Sequence, residues 1–177
     1  MKIHIIVGST RQNRVSAGVA EWAKTSVETA GHEAIMVDLR DHELPFVDAL
    51  PSTLNKVYAY ELVNAWSKVI NDAEAFIFVT PEYNHGFPGV LKNAIDWLWS
   101  EWAGKPASVL SYSVGFTAGA RGAEQLKLVL NSVGIILSGK HIALPNIRST
   151  DGSDIDPRAS EQMGGVLTAL ENLKKVA

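Results

Sequence analysis

The sequence predicts an α/β fold, a doubly wound parallel sheet with helices on both faces. Two observations carry that reading. Apolar runs alternate with helix-like patterns along the chain, and that order folds into a parallel sheet. Several apolar runs also lack polar alternation, as strands buried on both faces do. Right-handed crossovers between such strands leave a helix–sheet–helix sandwich as the topology.

The elements follow in order. Ile3–Val7 is an almost wholly apolar first strand. Val15–Ala30 is the first helix, with Val15, Val19, Trp22, Ala23 and Val27 at helical spacing and Gly31 as its stop. Ala34–Val37 is the second strand. Leu54–Asn71 is a helix carrying Val57, Leu62, Ala65, Trp66, Val69 and Ile70. Ala75–Val79 is the third strand, followed by a polar loop and a helix over Pro88–Trp102. Ser108–Tyr112 is the fourth strand. Gly119–Val133 is a helix with Leu126, Val129 and Leu130, ending before Gly134. His141–Leu144 is the fifth strand. Ile147–Asp156 is a polar loop with Gly152, expected to be mobile. Asp156-Pro157 opens the last helix, with Asp as N-cap and Pro at the first helical position.

The 177 residues suit a single domain over 1–177. A formal net charge of -3 has the wrong sign and size for a nucleic-acid binder. The absence of cysteine excludes disulfides, thiolate metal sites and cysteine nucleophiles, so redox chemistry requires a bound cofactor. The first apolar run stops at Gly8, too soon for a secretory segment, and no apolar stretch is long enough for a bilayer. A cytoplasmic protein without membrane partners is expected.

In such a sheet, ligands bind where the loops after the strands converge. Three of these loops are chemically unusual. The first, Gly8-Ser9-Thr10-Arg11-Gln12-Asn13-Arg14-Val15-Ser16, joins a strand to a helix start. Ser9, Thr10 and Ser16 supply hydroxyls, Arg11 and Arg14 supply charge, and the helix start supplies free N–H groups. That combination makes a phosphate cradle. It lacks both the Walker ending and the G-x-G-x-x-G spacing, which argues against a nucleoside triphosphate or a dinucleotide domain of that type. The second loop, Pro81 to Phe87, with Pro88 and Gly89 after it, packs two prolines, two glycines and two aromatics into nine residues. The prolines stiffen it, Gly86 and Gly89 permit close approach, and Tyr83 and Phe87 offer flat faces. The third, Ser111 to Gly119, is small and hydroxyl-rich and faces the other side of the same edge. A phosphate cradle with two walls for a planar polar ring fits flavin mononucleotide, FMN.

At these residues the chain resembles the NADPH-dependent FMN reductase family of flavodoxin-like proteins. Pro81-Glu82-Tyr83-Asn84, then Pro88-Gly89, then Leu91-Lys92-Asn93-Ala94-Ile95-Asp96 match its ring-side pattern, and Gly8-Ser9-Thr10-Arg11 matches its phosphate loop. The resemblance extends from Ile3 through the helix after the third loop. It implies a flavodoxin-like three-layer sandwich with a five-stranded parallel sheet in the order 2-1-3-4-5. It assigns Ser9, Arg11 and Ser16 to the FMN phosphate, with Thr10 and Arg14 beside them. Pro81, Glu82, Tyr83, Asn84 and Gly86 fall along the flavin ring. The third loop departs from the family's glycine-rich form, with Ser113, Val114 and Ala118 in glycine-like places; Ser113, Val114 and Gly115 are its ring-side candidates. Further implications are NADPH or NADH as donor, a small-molecule acceptor, a ping-pong course, and a homodimer or dimer of dimers.

Other residues weigh less. His85 is a loop histidine, read as a substrate or subunit contact rather than an acid or base, since hydride transfer to flavin requires no protein proton donor. The five histidines show no i,i+4 pair that would suggest a metal. No Gly-x-Ser-x-Gly elbow is present. Arg121 and Lys127 read as surface charges of a helix. Trp97, Trp99 and Trp102 cannot share one helical stripe, so at least one is expected at the surface, as a homodimer contact. The rival classes are an electron-carrier flavodoxin docking on proteins, which the mild charge disfavours, and a flavin-binding regulatory module without turnover. Direct oxidation of NADPH separates the enzyme from both.

Overall fold

The computed structural model of the chain describes residues 1–49 and 56–176. β1 (Lys2–Val7), α1 (Ser16–Thr29), β2 (Glu33–Asp38) and a 3-10 turn (Leu39–Asp41) come first. Then follow α2 (Glu61–Asp72), β3 (Ala75–Pro81), α3 (Gly89–Asp96), β4 (Pro106–Tyr112), α4 (Ala120–Ser132), β5 (Ile136–Leu144) and α5 (Ala159–Lys174). The strands form one five-stranded sheet in the order β2-β1-β3-β4-β5. Every pairing is parallel.

Strand periodicity divides the core in two. Ile3, Ile5, Val7, Ile77 and Val79 face α1 and α5, packing with Val19, Ala23, Met163 and Leu170. The alternate residues Ile6, Phe76 and Phe78 face α2, α3 and α4, packing with Trp66, Trp102, Leu91 and Leu126. Because both faces are covered, β3 and β4 are buried throughout, while the edge strands β2 and β5 are partly exposed.

Four boundaries differ from the sequence expectation by three residues or more. The predicted start of α2 at Leu54 lies outside the described residues, and the helix begins at Glu61. Before it, Asn64 uses its side chain to bind the Tyr58 N–H, the Tyr58 carbonyl and the Tyr60 carbonyl, which holds the segment extended. α3 stops at Asp96 rather than Trp102. Residues five apart on a helix point about 140° apart, so a continuous helix could not bury both Trp97 and Trp102. Broken into turns, the segment buries both, with Trp97 Nε1 donating to Pro45 O at 2.7 Å and Trp102 Nε1 to Ile95 O at 3.1 Å. Trp99 is left 45% exposed.

β5 starts at Ile136, earlier than His141, because Ile136 and Leu137 pair with β4 ahead of a polar stretch, Ser138-Gly139-Lys140, and a register shift opposite Ala107–Val109. α5 starts at Ala159, not at Asp156-Pro157. Asp156 instead makes a turn two residues long, accepting the Arg158 N–H at 2.9 Å and pairing with the Arg158 guanidinium.

The buried carboxylate of Glu101 is fully inside the protein. It accepts hydroxyls from Tyr58 at 2.8 Å, Ser67 at 2.5 Å and Ser100 at 3.2 Å. Those donors replace the water that burial removes. No helix of the described residues is long and apolar enough to cross a membrane.

The loop at 147–156 is tied by its own side chains. Asp154 accepts the Arg148 and Ser149 N–H groups at 2.7 and 2.9 Å, and Asp151 accepts that of Ser153 at 2.9 Å. The loop lies directly on α1 at Gly18, where a Cβ would stand 2.4 Å from Gly152 N and 2.5 Å from Thr150 O. Gly18→Ala is therefore expected to destabilise the fold by roughly 1–3 kcal/mol, the range for overpacking. Denaturant unfolding checks this; an unchanged midpoint would show that the loop yields without cost.

Candidate functional site

The loops after β1, β3 and β4 meet at the C-terminal edge of the sheet around a cavity of about 340 Å³, within the range of small-molecule sites. Of the predicted residues, Ser9, Arg11, Arg14, Pro81, Glu82, Tyr83, Ser113 and Val114 line it. Thr10, Ser16, Asn84, Gly86 and Gly115 belong to the same loops but not to the wall. Thr10, Asn84 and Gly115 are exposed, Gly86 is half-buried, and Ser16 is fully buried. Sequence reasoning did not assign Gln12, Asn13, Val15, Tyr112 and Ile147 to the wall, though all but Ile147 lie in loops it singled out. Burial raises the Tyr112 phenol to about 12, so it stays protonated at neutral pH.

The first loop holds the strongest electrostatic feature. Arg14 turns inward, its side chain only 8% exposed, and Nη2 pairs with the carboxylate of Asp38 at the end of β2. Its Nε and Nη1 are buried without a hydrogen-bond partner, as is Ser16 Oγ. The adjacent start of α1 has no side-chain cap and no acid in its first turn, so its dipole end and N–H groups are also free. Buried donors in this number are rare in native proteins. Together they suit a phosphate, so the residues fit the phosphate end of FMN. Arg11 is placed differently. It is exposed and its guanidinium lies 3.8 Å over the ring of Tyr83. The Tyr83 hydroxyl in turn meets Ser9 Oγ at 2.5 Å, which joins the first loop to the second.

The second loop is a tight reversal. Tyr83 N donates to Gly86 O at 2.8 Å and Gly86 N to Tyr83 O at 3.0 Å, with Asn84 and His85 at φ of 50° and 69°. Positive φ at both central residues defines a type I′ turn, a conformation Asn tolerates well. α4 clamps it. The backbone N–H of Arg121 reaches Glu82 Oε2 at 3.2 Å, and its Nη1 reaches Glu82 Oε1 at 3.3 Å and His85 Nε2 at 3.1 Å. Gln125 Nε2 donates to His85 O at 2.9 Å. The approach is so close that a Cβ at Gly122 would lie 2.8 Å from Gly86 O. Arg121 is thus a support of the loop rather than a plain surface charge, a role its position 36 residues from His85 conceals. Lys127 pairs with Glu124 at 2.6 Å.

The third loop presents Val114 and, 88% exposed, Phe116 at the rim. Its far end is fixed by Ser111, whose hydroxyl donates to Ala118 O at 2.6 Å and therefore accepts from His141 Nε2 at 2.8 Å. Burial, aided by Lys127, holds the His141 imidazole down at about 4 from its usual 6.5.

A parallel sheet of this order with its cleft at this edge defines a flavodoxin-like protein. The family described as NADPH-dependent FMN reductase matches residues 1–148, and the chain belongs to it. The NAD(P)H-dependent FMN reductase LOT6 of Saccharomyces cerevisiae is 35% identical over 96% of this chain and 95% of its own length. The 2-hydroxy-1,4-benzoquinone reductase of a Burkholderia species is 31% identical over 77% of this chain and 74% of its own. Among solved structures, the NAD(P)H:(acceptor) oxidoreductase FerB of Paracoccus denitrificans superposes with a TM-score of 0.78 at 26% identity, covering 98% of this chain and 97% of its own. The chain is an oxidoreductase, and its family relatives support the use of FMN and NAD(P)H.

Two outcomes follow from this geometry. Ser16→Ala removes a buried hydroxyl with no partner, so the flavin-free protein should be no less stable in thermal melts. FMN affinity should fall roughly tenfold, the scale of one hydrogen bond to a charged group. A loss of stability with unchanged affinity would contradict the cradle. The second concerns pH. The unfolded chain protonates His141 near its usual 6.5, the folded chain only near 4. Between those values the unfolded state holds more protons, so stability falls as pH drops from 6.5 toward 4. His4 and His42, also lowered by burial, act in the same direction. Melts of His141→Gln should show a shallower slope across that window; an identical slope would contradict it.

Proposed function

We propose that this enzyme binds FMN across the three loops, oxidises NADPH or NADH, and passes the electrons to a small-molecule acceptor of the quinone class. The observation that carries the reading is the set of buried, unpartnered donors of Arg14 and Ser16 at the uncapped start of α1. Those donors, with Ser9, Thr10 and Arg11, would hold the phosphate. Pro81, Glu82, Tyr83, Asn84 and Gly86 would stand along one side of the ring, and Ser113, Val114 and Gly115 along the other.

Bound FMN would supply a ring that takes a hydride from the nicotinamide and later gives up two electrons. The chain's own contribution is placement. The two prolines and the type I′ turn keep the second loop rigid, and α4 keeps Glu82 in one orientation through Arg121. Ser111, through Ala118 O and His141, ties the end of the third loop to the sheet. Arg121 Nη1 donates to His85 Nε2, which leaves that nitrogen occupied as an acceptor rather than offered to a substrate. The kinship with a benzoquinone reductase supports a quinone as acceptor. A homodimer belongs to the same proposal. With Trp97 and Trp102 in the core, only Trp99 of that cluster is left to serve a contact. Sedimentation as a monomer at micromolar concentration would count against it.

Donor and acceptor would use one cleft in turn, so initial rates against NADPH at several fixed quinone concentrations should give parallel double-reciprocal lines. Intersecting lines would mean that both substrates bind together and would overturn the ping-pong course.

A further inference from the structure

Asp38 lies outside the three loops, at the C-terminal end of the edge strand β2, yet its carboxylate serves two masters with two oxygens. Oδ1 accepts the backbone N–H of Arg40 at 3.0 Å and starts the 3-10 turn. Oδ2 takes Arg14 Nη2. The first contact is local. The second spans 24 residues and reaches into the anion cradle.

The neighbours of Arg14 show what that second contact does. Arg11, Gln12 and Asn13 are all exposed, and Asn13 sits at a φ of 53° in an open turn. An arginine in such a loop has water within easy reach and several rotatable bonds to lose. Arg14 is nevertheless buried, with two of its nitrogens left without partners. Asp38 is the one acceptor that holds it there among the described contacts.

We propose that Asp38 is the positioning residue of the anion cradle. By holding Nη2 it keeps the guanidinium inside the protein with Nε and Nη1 unpaired, and so sets how strongly the chain prefers a phosphorylated flavin to the same flavin without phosphate. This rests on the reading of the cradle as a phosphate site. Without Asp38, Arg14 extends into water, and its ordering and desolvation must be met when ligand binds rather than when the chain folds. Loss of the carboxylate also removes some repulsion toward a phosphate. The guanidinium already compensates that charge, so the loss of preorganisation dominates.

The test is titration of flavin-free protein with FMN and with riboflavin, followed by flavin fluorescence. Asp38→Asn keeps the acceptor for Arg40 N–H but turns an amide toward Arg14. It should weaken FMN binding about tenfold, the scale of a lost orienting partner, while riboflavin binding changes by less than about twofold. Arg14→Ala should lower the FMN-to-riboflavin preference at least as far, and the variant carrying both substitutions no further than Arg14→Ala alone. Should Asp38→Asn not fold, Asp38→Ser keeps the local turn, cannot reach Arg14, and reads the same ratio.

An FMN-to-riboflavin preference that is unchanged or raised in the Asp38 variants, while Arg14→Ala lowers it, would overturn the positioning role and leave the cradle intact. A double variant weaker than Arg14→Ala would also overturn it, because Asp38 would then act by another route. If Arg14→Ala leaves the preference unchanged, the phosphate reading itself fails and the role of Asp38 falls with it.

Discussion

One buried guanidinium with unfinished hydrogen bonding organises the functional edge of this protein. Arg14 is held inside by Asp38 but only one of its nitrogens is used. A fold does not gain stability from burying a charge whose donors are left unpaired. Such an arrangement makes sense when a ligand completes it, which is the usual relation between a strained functional site and a well-packed remainder. The rest of this edge surrounds those unpaired donors. The N-terminus of α1 lies beside them, Tyr83 and Tyr112 bound the cavity, and the loop at 147–156 packs on Gly18 of the same helix.

Rigidity around the cleft comes from unrelated sources that converge. The first and second loops are joined by the contact of Ser9 with Tyr83. The second is joined to α4 through Arg121, Gln125 and the close approach at Gly122. The third is fixed at its far end through Ser111 and His141. Each tie braces a loop of the cleft, and none of them is a central catalytic side chain. That suits a protein whose reactive group is borrowed from a cofactor and whose own task is to place it.

The sheet and the helices facing it were legible in the sequence because β1, β3 and β4 are covered on both faces and so read as unbroken apolar runs. The first half of β5 was not, since Ser138, Gly139 and Lys140 cut Ile136 and Leu137 off from the apolar residues that follow, and the pattern cannot distinguish such a stretch from a loop. The tryptophans misled the length of α3: three aromatics in a row of turns look helical until the core demands that two of them point inward. At the site, the three loops were readable from their prolines, glycines and hydroxyls and from the family resemblance. The pairings that organise them were not. Arg14 with Asp38, Arg121 with Glu82 and Ser111 with His141 join distant parts of the chain, and no local pattern announces a contact made across the sheet.

The central claim is that this cleft holds FMN where a nicotinamide can reduce it. The most direct measurement is the visible spectrum of protein supplied with FMN, desalted, and then mixed with NADPH or NADH without oxygen. The account predicts a retained flavin spectrum that bleaches promptly on addition of one or both nicotinamides. A flavin lost on desalting, or one retained but left oxidised by both donors, would contradict it.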